Sequence, residues 1–131
     1  MPQTPAERRW WVLVSLTAGV TEELTWRGIQ VQILATLLGS YPIAALICSV
    51  TFGVGHLGQG RRWAAAVAGF ALIFHGLVWV SGSLWVAIAV HVVVDLVGGF
   101  STAWIGRLFG YGESPFLSPR DRARMPLHSS V

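Results

Sequence analysis

The sequence predicts an all-α membrane protein, a polytopic bundle of about four transmembrane helices, and three observations support this class. Hydrophobic residues make up 53% of the 131-residue chain and charged residues only 11%, against about 25% charged residues in soluble proteins. The apolar residues form long runs, separated by short turns containing glycine, serine or proline. The net charge of +3 comes from arginines clustered near the ends of these runs, a pattern typical of membrane topology and not of nucleic-acid binding.

Composition divides the chain into three parts. Residues 1–9 are short and polar, residues 10–109 carry the apolar runs, and residues 110–131 are rich in proline, serine and arginine without any periodicity. We therefore expect a cytoplasmic N-terminal segment, a membrane-embedded core and a disordered cytoplasmic tail. The predicted helices cover residues 10–38, 42–57, 63–80 and 84–109.

The first predicted helix is too long for a straight span. Its roughly thirty residues would rise about 45 Å, whereas the hydrocarbon core of a bilayer is about 30 Å thick. We expect it to tilt, kink or break near Gly19 or Gly28.

The arginines also predict an orientation in the cell membrane. Arginines precede the first run, occupy the 58–62 loop and lie at and beyond the end of the last run, whereas the turns at 39–41 and 81–83 contain none. By the positive-inside rule, the protein is multi-pass with both termini and the 58–62 loop in the cytoplasm.

Charged residues interrupt the first apolar run at Glu22, Glu23 and Arg27. Each such charge costs about 2.5 to 3.5 kcal/mol at the centre of a membrane helix, so unpaired charges are strongly disfavoured there. Glu23 and Arg27 are one helical turn apart and predict a structural ion pair, whereas Glu22 points about 100° away and stays free for another partner. The alternative is a solvated patch on a soluble helix.

Further polar residues lie inside the later runs. His91 and Asp95 share a helix face, as do Phe52 and His56. A histidine beside a carboxylate indicates either an oriented imidazole in a site or a buried polar pair that joins helices. Counting 1.5 Å per residue places Glu22, His91 and Asp95 at a similar depth, so we expect these side chains and His56 to converge on one water-accessible cavity.

Two other residues have simpler interpretations. His75 has no acidic neighbour at helical spacing and is predicted to be a packing histidine. Cys48, the single cysteine, lies in an apolar run and is predicted to be a small core residue.

The motifs Glu22-Glu23-x-x-x-Arg27, Phe52-x-x-x-His56 and His91-x-x-x-Asp95, in this order on three helices, carry a resemblance. The chain resembles the CPBP family of intramembrane proteases, which includes the CAAX prenyl endopeptidases, from about residue 12 to residue 99. Family members usually carry further helices before the first motif, so the resemblance implies a fragment, a start codon assigned too late, or a minimal form.

The resemblance also implies roles for these residues. Glu22 would be the essential carboxylate, Glu23 and Arg27 a supporting pair, and His56 a partner of Glu22 in holding water. His91 and Asp95 would stabilise the oxyanion. Asp95 stands where asparagine is commoner, and an ionised carboxylate cannot donate to an oxyanion, so orientation of His91 or metal binding is the alternative for this residue.

The implied function is an intramembrane endopeptidase, a hydrolase acting on peptide segments of membrane or prenylated, lipid-anchored proteins. A buried carboxylate is a suitable base for such hydrolysis. Glu22, His56 and His91 also match the ligand set of a catalytic divalent metal such as zinc, so the residues leave a metalloprotease open. The alternative from another class is a non-catalytic membrane protein, either an ion- or proton-handling element or a degenerate homologue used in peptide immunity.

Overall fold

The computed structural model describes Pro2 and residues 4–108, and every regular element in this part of the chain is helical, which confirms the all-α prediction. The predicted tail at 110–131 lies outside the described residues. The elements are α1 (Pro5–Glu23), a π-helical segment (Leu24–Gln30), α2 (Val31–Leu38), α3 (Tyr41–Gly55), a short 3-10 helix (Leu57–Gln59), α4 (Arg61–Ser81) and α5 (Leu84–Leu108).

Helix α1 begins five residues earlier than predicted, because Thr4 caps it. The Thr4 hydroxyl accepts a hydrogen bond from the Glu7 backbone N–H at 3.2 Å, and the Glu7 carboxylate accepts one from the Thr4 N–H at 3.1 Å. This reciprocal arrangement satisfies two N–H groups, and Pro5 occupies a helix position that needs no donor. The polar residues before Trp10 therefore belong to the helix, although they lack an apolar pattern.

The long first helix does not break near Gly19 or Gly28, the positions that its excess length suggested. Instead, α1 continues into the π-helical segment, which contains Gly28 and then passes directly into α2. Inserted π-turns widen the helix locally and are frequent at functional sites. Here the widened segment begins immediately after Glu23 and contains Arg27, so the irregular backbone coincides with the charged motif.

The later turns follow the predicted positions closely. Gly39 and Gly82 adopt φ of 66° and 64° at the ends of α2 and α4, a left-handed conformation that glycine adopts without strain. Helix α3 ends at Gly55, two residues before the predicted end, and His56 follows as its cap. His56 therefore lies at a helix terminus instead of within a helix.

The packed interior is small. The most extensive contacts join α1 to α5, α2 to α3 and α3 to α4. The main core cluster, between α2 and α3, contains Val31, Ala44, Ala45 and Cys48, so the single cysteine is a core residue as predicted. Many large apolar side chains instead point outward, such as Val80 and Trp85, which are 86% and 77% exposed.

Length and composition make two helices long and apolar enough to cross a membrane, Arg61–Ser81 and Leu84–Ser101, and Tyr41–Gly55 is a shorter apolar helix. The outward apolar side chains give the bundle a surface suited to lipid. In such a bundle, close helix packing depends on small residues.

Gly53 on α3 provides a test of this packing. A Cβ at Gly53 would lie 2.8 Å from the Ala64 backbone oxygen and 2.7 Å from the Ala68 Cβ on α4. Because backbone cannot yield as a side-chain tip does, Gly53→Ala is expected to lower the free energy of unfolding by about 1 to 3 kcal/mol. Gly69→Ala, where nothing lies within 4 Å, is the matched control and should be neutral or slightly stabilising. Thermal unfolding followed by circular dichroism measures both, and equal effects would contradict the proposed close contact.

Candidate active site

One cavity of about 550 Å³ collects the polar residues singled out in the sequence. Glu22, His56, His91 and Asp95 all line it. Glu22 lies on α1, His56 is the cap of α3, and His91 and Asp95 lie on α5, so the cavity joins three elements that are distant in sequence. The structure therefore brings together the three residues that helix counting placed at similar depth, Glu22, His91 and Asp95, and adds His56 to them as expected.

The predicted pair of Glu23 and Arg27 is present and almost fully buried. The Arg27 Nη1 lies 3.1 Å from the Glu23 Oε1, and both side chains are at most 2% exposed. The second Arg27 nitrogen, Nη2, donates to the Ala71 carbonyl on α4 at 3.2 Å. The rings of Phe52 and Phe74 lie 5.3 and 5.4 Å from the guanidinium carbon, within range of cation–π attraction. Arg27 thus connects the charged motif to α3 and α4.

Glu23 also makes a contact that the sequence did not indicate. Its Oε1 accepts a hydrogen bond from His91 Nδ1 on α5 at 2.7 Å. A carboxylate only accepts, so Nδ1 carries the proton and the imidazole is fixed in rotation with Nε2 directed away from Glu23. Glu23 is therefore the carboxylate that orients His91, the role that sequence spacing had suggested for Asp95.

The other nitrogen of His91 lies between two further carboxylates. Nε2 is 3.7 Å from Glu22 Oε2 and 3.8 Å from Asp95 Oδ2. These distances are too long for direct hydrogen bonds, but one water can contact two atoms at such a separation. Glu22 and Asp95 are each 33% exposed, whereas Glu23 is fully buried, so the two adjacent glutamates occupy different environments.

The His56 ring is fixed by the end of α3. The His56 backbone N–H bonds to the Gly53 carbonyl at 2.9 Å, and the Phe52 carbonyl pairs with the imidazole Nδ1 at 2.8 Å. Because a carbonyl only accepts, Nδ1 is the protonated nitrogen and Nε2 is the acceptor of the neutral ring. The Phe52 ring packs against the imidazole at 4.6 Å between centroids. Phe52 therefore positions His56 through both its carbonyl and its ring.

The remaining wall of the cavity is largely apolar and aromatic. These residues were not predicted from the sequence, because an aromatic side chain in an apolar run that faces a cavity is not distinguishable from one that faces lipid. They come from α1, α4 and α5: Trp11, Trp63, Val67, Phe70, Phe74 and Val94.

His75 lies outside this cavity wall and is 1% exposed. Neither of its ring nitrogens has a hydrogen-bond partner among the residues that the structure describes. Its ring meets that of Tyr41 edge-on, with centroids 6.3 Å apart, as expected for a packing histidine.

The cavity does not present a metal-ligand set. Among the described side chains of residues 4–101, no three or more His, Cys, Asp or Glu come together in a way that could hold a metal ion. Glu22, His56 and His91, the three candidate zinc ligands, line the same cavity, and the Nδ1–H of His91 is donated to Glu23, which leaves its Nε2 near Glu22.

Comparison with known proteins identifies the family. No curated protein and no solved structure matches the chain. A family model described as "Type II CAAX prenyl endopeptidase Rce1-like" matches residues 5–97, which includes every residue of the candidate site. This match agrees with the three sequence motifs and with the apolar helices of a membrane protein. The chain belongs to the Rce1-like family of type II CAAX prenyl endopeptidases, a family of membrane-associated proteases.

Proposed function

We propose that this chain is an intramembrane endopeptidase in which Glu22 activates a water molecule for attack on a peptide bond. The observation that carries the proposal is the position of Glu22. Its carboxylate faces the cavity 3.7 Å from His91 Nε2, while the neighbouring Glu23 is buried and holds the other side of the same imidazole. One glutamate is therefore available to a substrate, and the other orients the histidine.

In the proposed reaction, Glu22 takes a proton from water as the water oxygen bonds to the substrate carbonyl carbon. The carbonyl oxygen becomes an oxyanion, the carbon–nitrogen bond then breaks, and the proton held by Glu22 passes to the leaving amine. His56 Nε2 accepts a hydrogen bond from the second O–H of the water, because its Nδ1–H is donated to the Phe52 carbonyl. Water is thus oriented by two acceptors before it attacks.

His91 is the proposed stabiliser of the oxyanion. Since Nδ1–H is donated to Glu23, Nε2 can donate only when the ring is an imidazolium. Glu22, Glu23 and Asp95 lie within 3.8 Å of the ring and provide the counter-charge for that cation. Asp95 is therefore proposed to support the charge of His91 and not to donate to the oxyanion itself.

The proposed substrates are prenylated or membrane-embedded peptide segments that enter from the cytoplasmic side. Family membership and the apolar wall of the cavity support this class. The test is incubation of the purified chain in lipid vesicles with two fluorogenic peptides of identical sequence, one farnesylated on a cysteine near its C-terminus and one not. We expect faster cleavage of the farnesylated peptide, with the new termini identified by mass spectrometry. Cleavage of neither peptide would favour a non-catalytic membrane protein.

The proposed orientation has both termini and the 58–62 loop in the cytoplasm. The orientation rests on the arginines before the first apolar run, in the 58–62 loop and at the end of the last run. It also rests on their absence from the turns at 39–41 and 81–83. A reporter fused after Ser40 or Gly82 should therefore be located outside the cytoplasm, and a reporter fused after Gly60 should be located inside it. An external reporter signal after Gly60 would overturn the orientation.

A further inference from the structure

Helices α1 and α5 are joined by a second hydrogen bond, some distance along α1 from the contact between Glu23 and His91. Trp11 on α1 donates its indole N–H to the backbone carbonyl of Asp95 on α5 at 3.1 Å. The same indole lies directly over Gly99, where an added Cβ would overlap the indole ring atoms. Trp11 is thus held against α5 by a hydrogen bond to the Asp95 carbonyl and by the absence of a side chain at Gly99.

Two more contacts lie on the same line. A Cβ at Gly19 would lie 2.6 Å from the side chain of Val92, so the two helix backbones approach closely at this level. One turn further along α1, Glu23 binds His91. The helices are therefore held at both ends of an interface that runs about 18 Å along α1, from Trp11 to Glu23.

We propose that Trp11 is a positioning residue, which sets the rotation of α5 so that His91 and Asp95 face Glu22. The hydrogen bond that His91 donates to Glu23 fixes one ring on α5, but a helix held at one point can still turn and slide. The Trp11 hydrogen bond acts on the backbone of Asp95 itself, one turn beyond His91, and removes that freedom. Gly99 is required for this because a larger residue would displace the indole.

Trp11 also lines the cavity, so a substrate contact must be distinguished from positioning. A residue that only contacts the ground-state substrate changes KM, whereas one that aligns catalytic groups changes kcat. Trp11→Phe keeps an aromatic ring and removes the N–H, and we expect a decrease in kcat of about 2- to 10-fold. Trp11→Ala removes the seated ring as well, and we expect about 10- to 100-fold, with KM changed by less than about twofold in both variants. The matched control is Trp10→Ala, whose side chain is 67% exposed and outside the cavity wall, and it should retain wild-type kcat.

A second readout follows the rotation of α5 without using activity, because the kinetic test rests on the proposed function. In a Cys48→Ala background, single cysteines are introduced by Val94→Cys, in the cavity wall, and Val93→Cys, outside it and 57% exposed. The two positions are about 100° apart on the helix. A charged, membrane-impermeant thiol reagent should modify the cysteine at position 94 several-fold faster, and the two rates should converge when Trp11→Phe or Trp11→Ala is added.

The kinetic and labelling results together distinguish the positioning role of Trp11 from the proposed protease function. Converging labelling rates together with a lower kcat support the positioning role. A raised KM at unchanged kcat, or a lower kcat with unchanged labelling of both cysteines, would overturn it. Absence of peptidase activity in the wild type, with labelling that still depends on Trp11, would refute the protease function. It would leave the positioning of α5 by Trp11 supported.

Discussion

Replacing Glu22 with glutamine is expected to lower the rate of peptide hydrolysis by about 100- to 10,000-fold while leaving the protein folded. Glutamine has nearly the same size and keeps an acceptor oxygen, but it cannot take a proton from water. The fold should tolerate the change, because Glu22 is 33% exposed and its distance to His91 Nε2 is 3.7 Å, too long for a hydrogen bond that holds helices together. The measurements are kcat on a farnesylated fluorogenic peptide and the thermal midpoint of the helical signal.

The matched control is Glu7→Gln, which makes the same chemical change on the same helix. Glu7 lies outside the cavity wall, and glutamine can replace glutamate in a capping box. This variant should keep wild-type kcat. Retained activity in Glu22→Gln, or an equal loss in both variants, would show that Glu22 is not the base.

Arg27→Ala is expected to destabilise the fold by about 3 to 5 kcal/mol, because it leaves a buried carboxylate without its cation. The loss removes the 3.1 Å ion pair with Glu23, the hydrogen bond to the Ala71 carbonyl and the cation–π contacts. Unfolding by denaturant in mixed micelles, followed by circular dichroism, measures the change. Arg62→Ala, which removes an exposed arginine, should alter the free energy of unfolding by less than about 0.5 kcal/mol.

Combining Arg27→Ala with Glu23→Gln should recover part of the lost stability, since no unpaired charge is then buried. Catalysis should not recover in parallel. A glutamine at position 23 can accept the His91 N–H but provides no charge to balance an imidazolium, so kcat should stay at least about 10-fold below wild type. Additive losses of stability in the double variant would mean that the two residues are not coupled.

The sequence predicted relations within one helix better than relations between helices. Spacing of three or four residues defines a shared face, and this was sufficient to predict the pair of Glu23 and Arg27. Counting residues from the helix ends also placed Glu22, His91 and Asp95 near one level, and all three line the cavity. Neither rule gives the rotation of one helix relative to another. For that reason the hydrogen bond between Glu23 and His91, which depends on how α1 faces α5, was not predicted.

Two local features were missed for different reasons. The sequence of Thr4, Pro5 and Glu7 contains the pattern of a capping box, so the early start of α1 was readable from capping rules although apolar periodicity did not show it. The π-helical form of residues 24–30 had no equivalent signal. Excess length predicted an irregularity in the first helix, but a widened turn, a kink and a tilt all accommodate such length.

In the proposed function, the chain hydrolyses a peptide bond with a water that Glu22 activates in the cavity. The most direct measurement is the reaction of vesicle-embedded wild type and Glu22→Gln with a farnesylated peptide in water enriched in heavy oxygen, followed by mass spectrometry of the products. We predict that the wild type releases a product whose new carboxylate carries one heavy oxygen atom from solvent, and that Glu22→Gln releases essentially none over the same time. Equal amounts of labelled product from both proteins, or a wild-type product without solvent oxygen, would contradict water activation by Glu22.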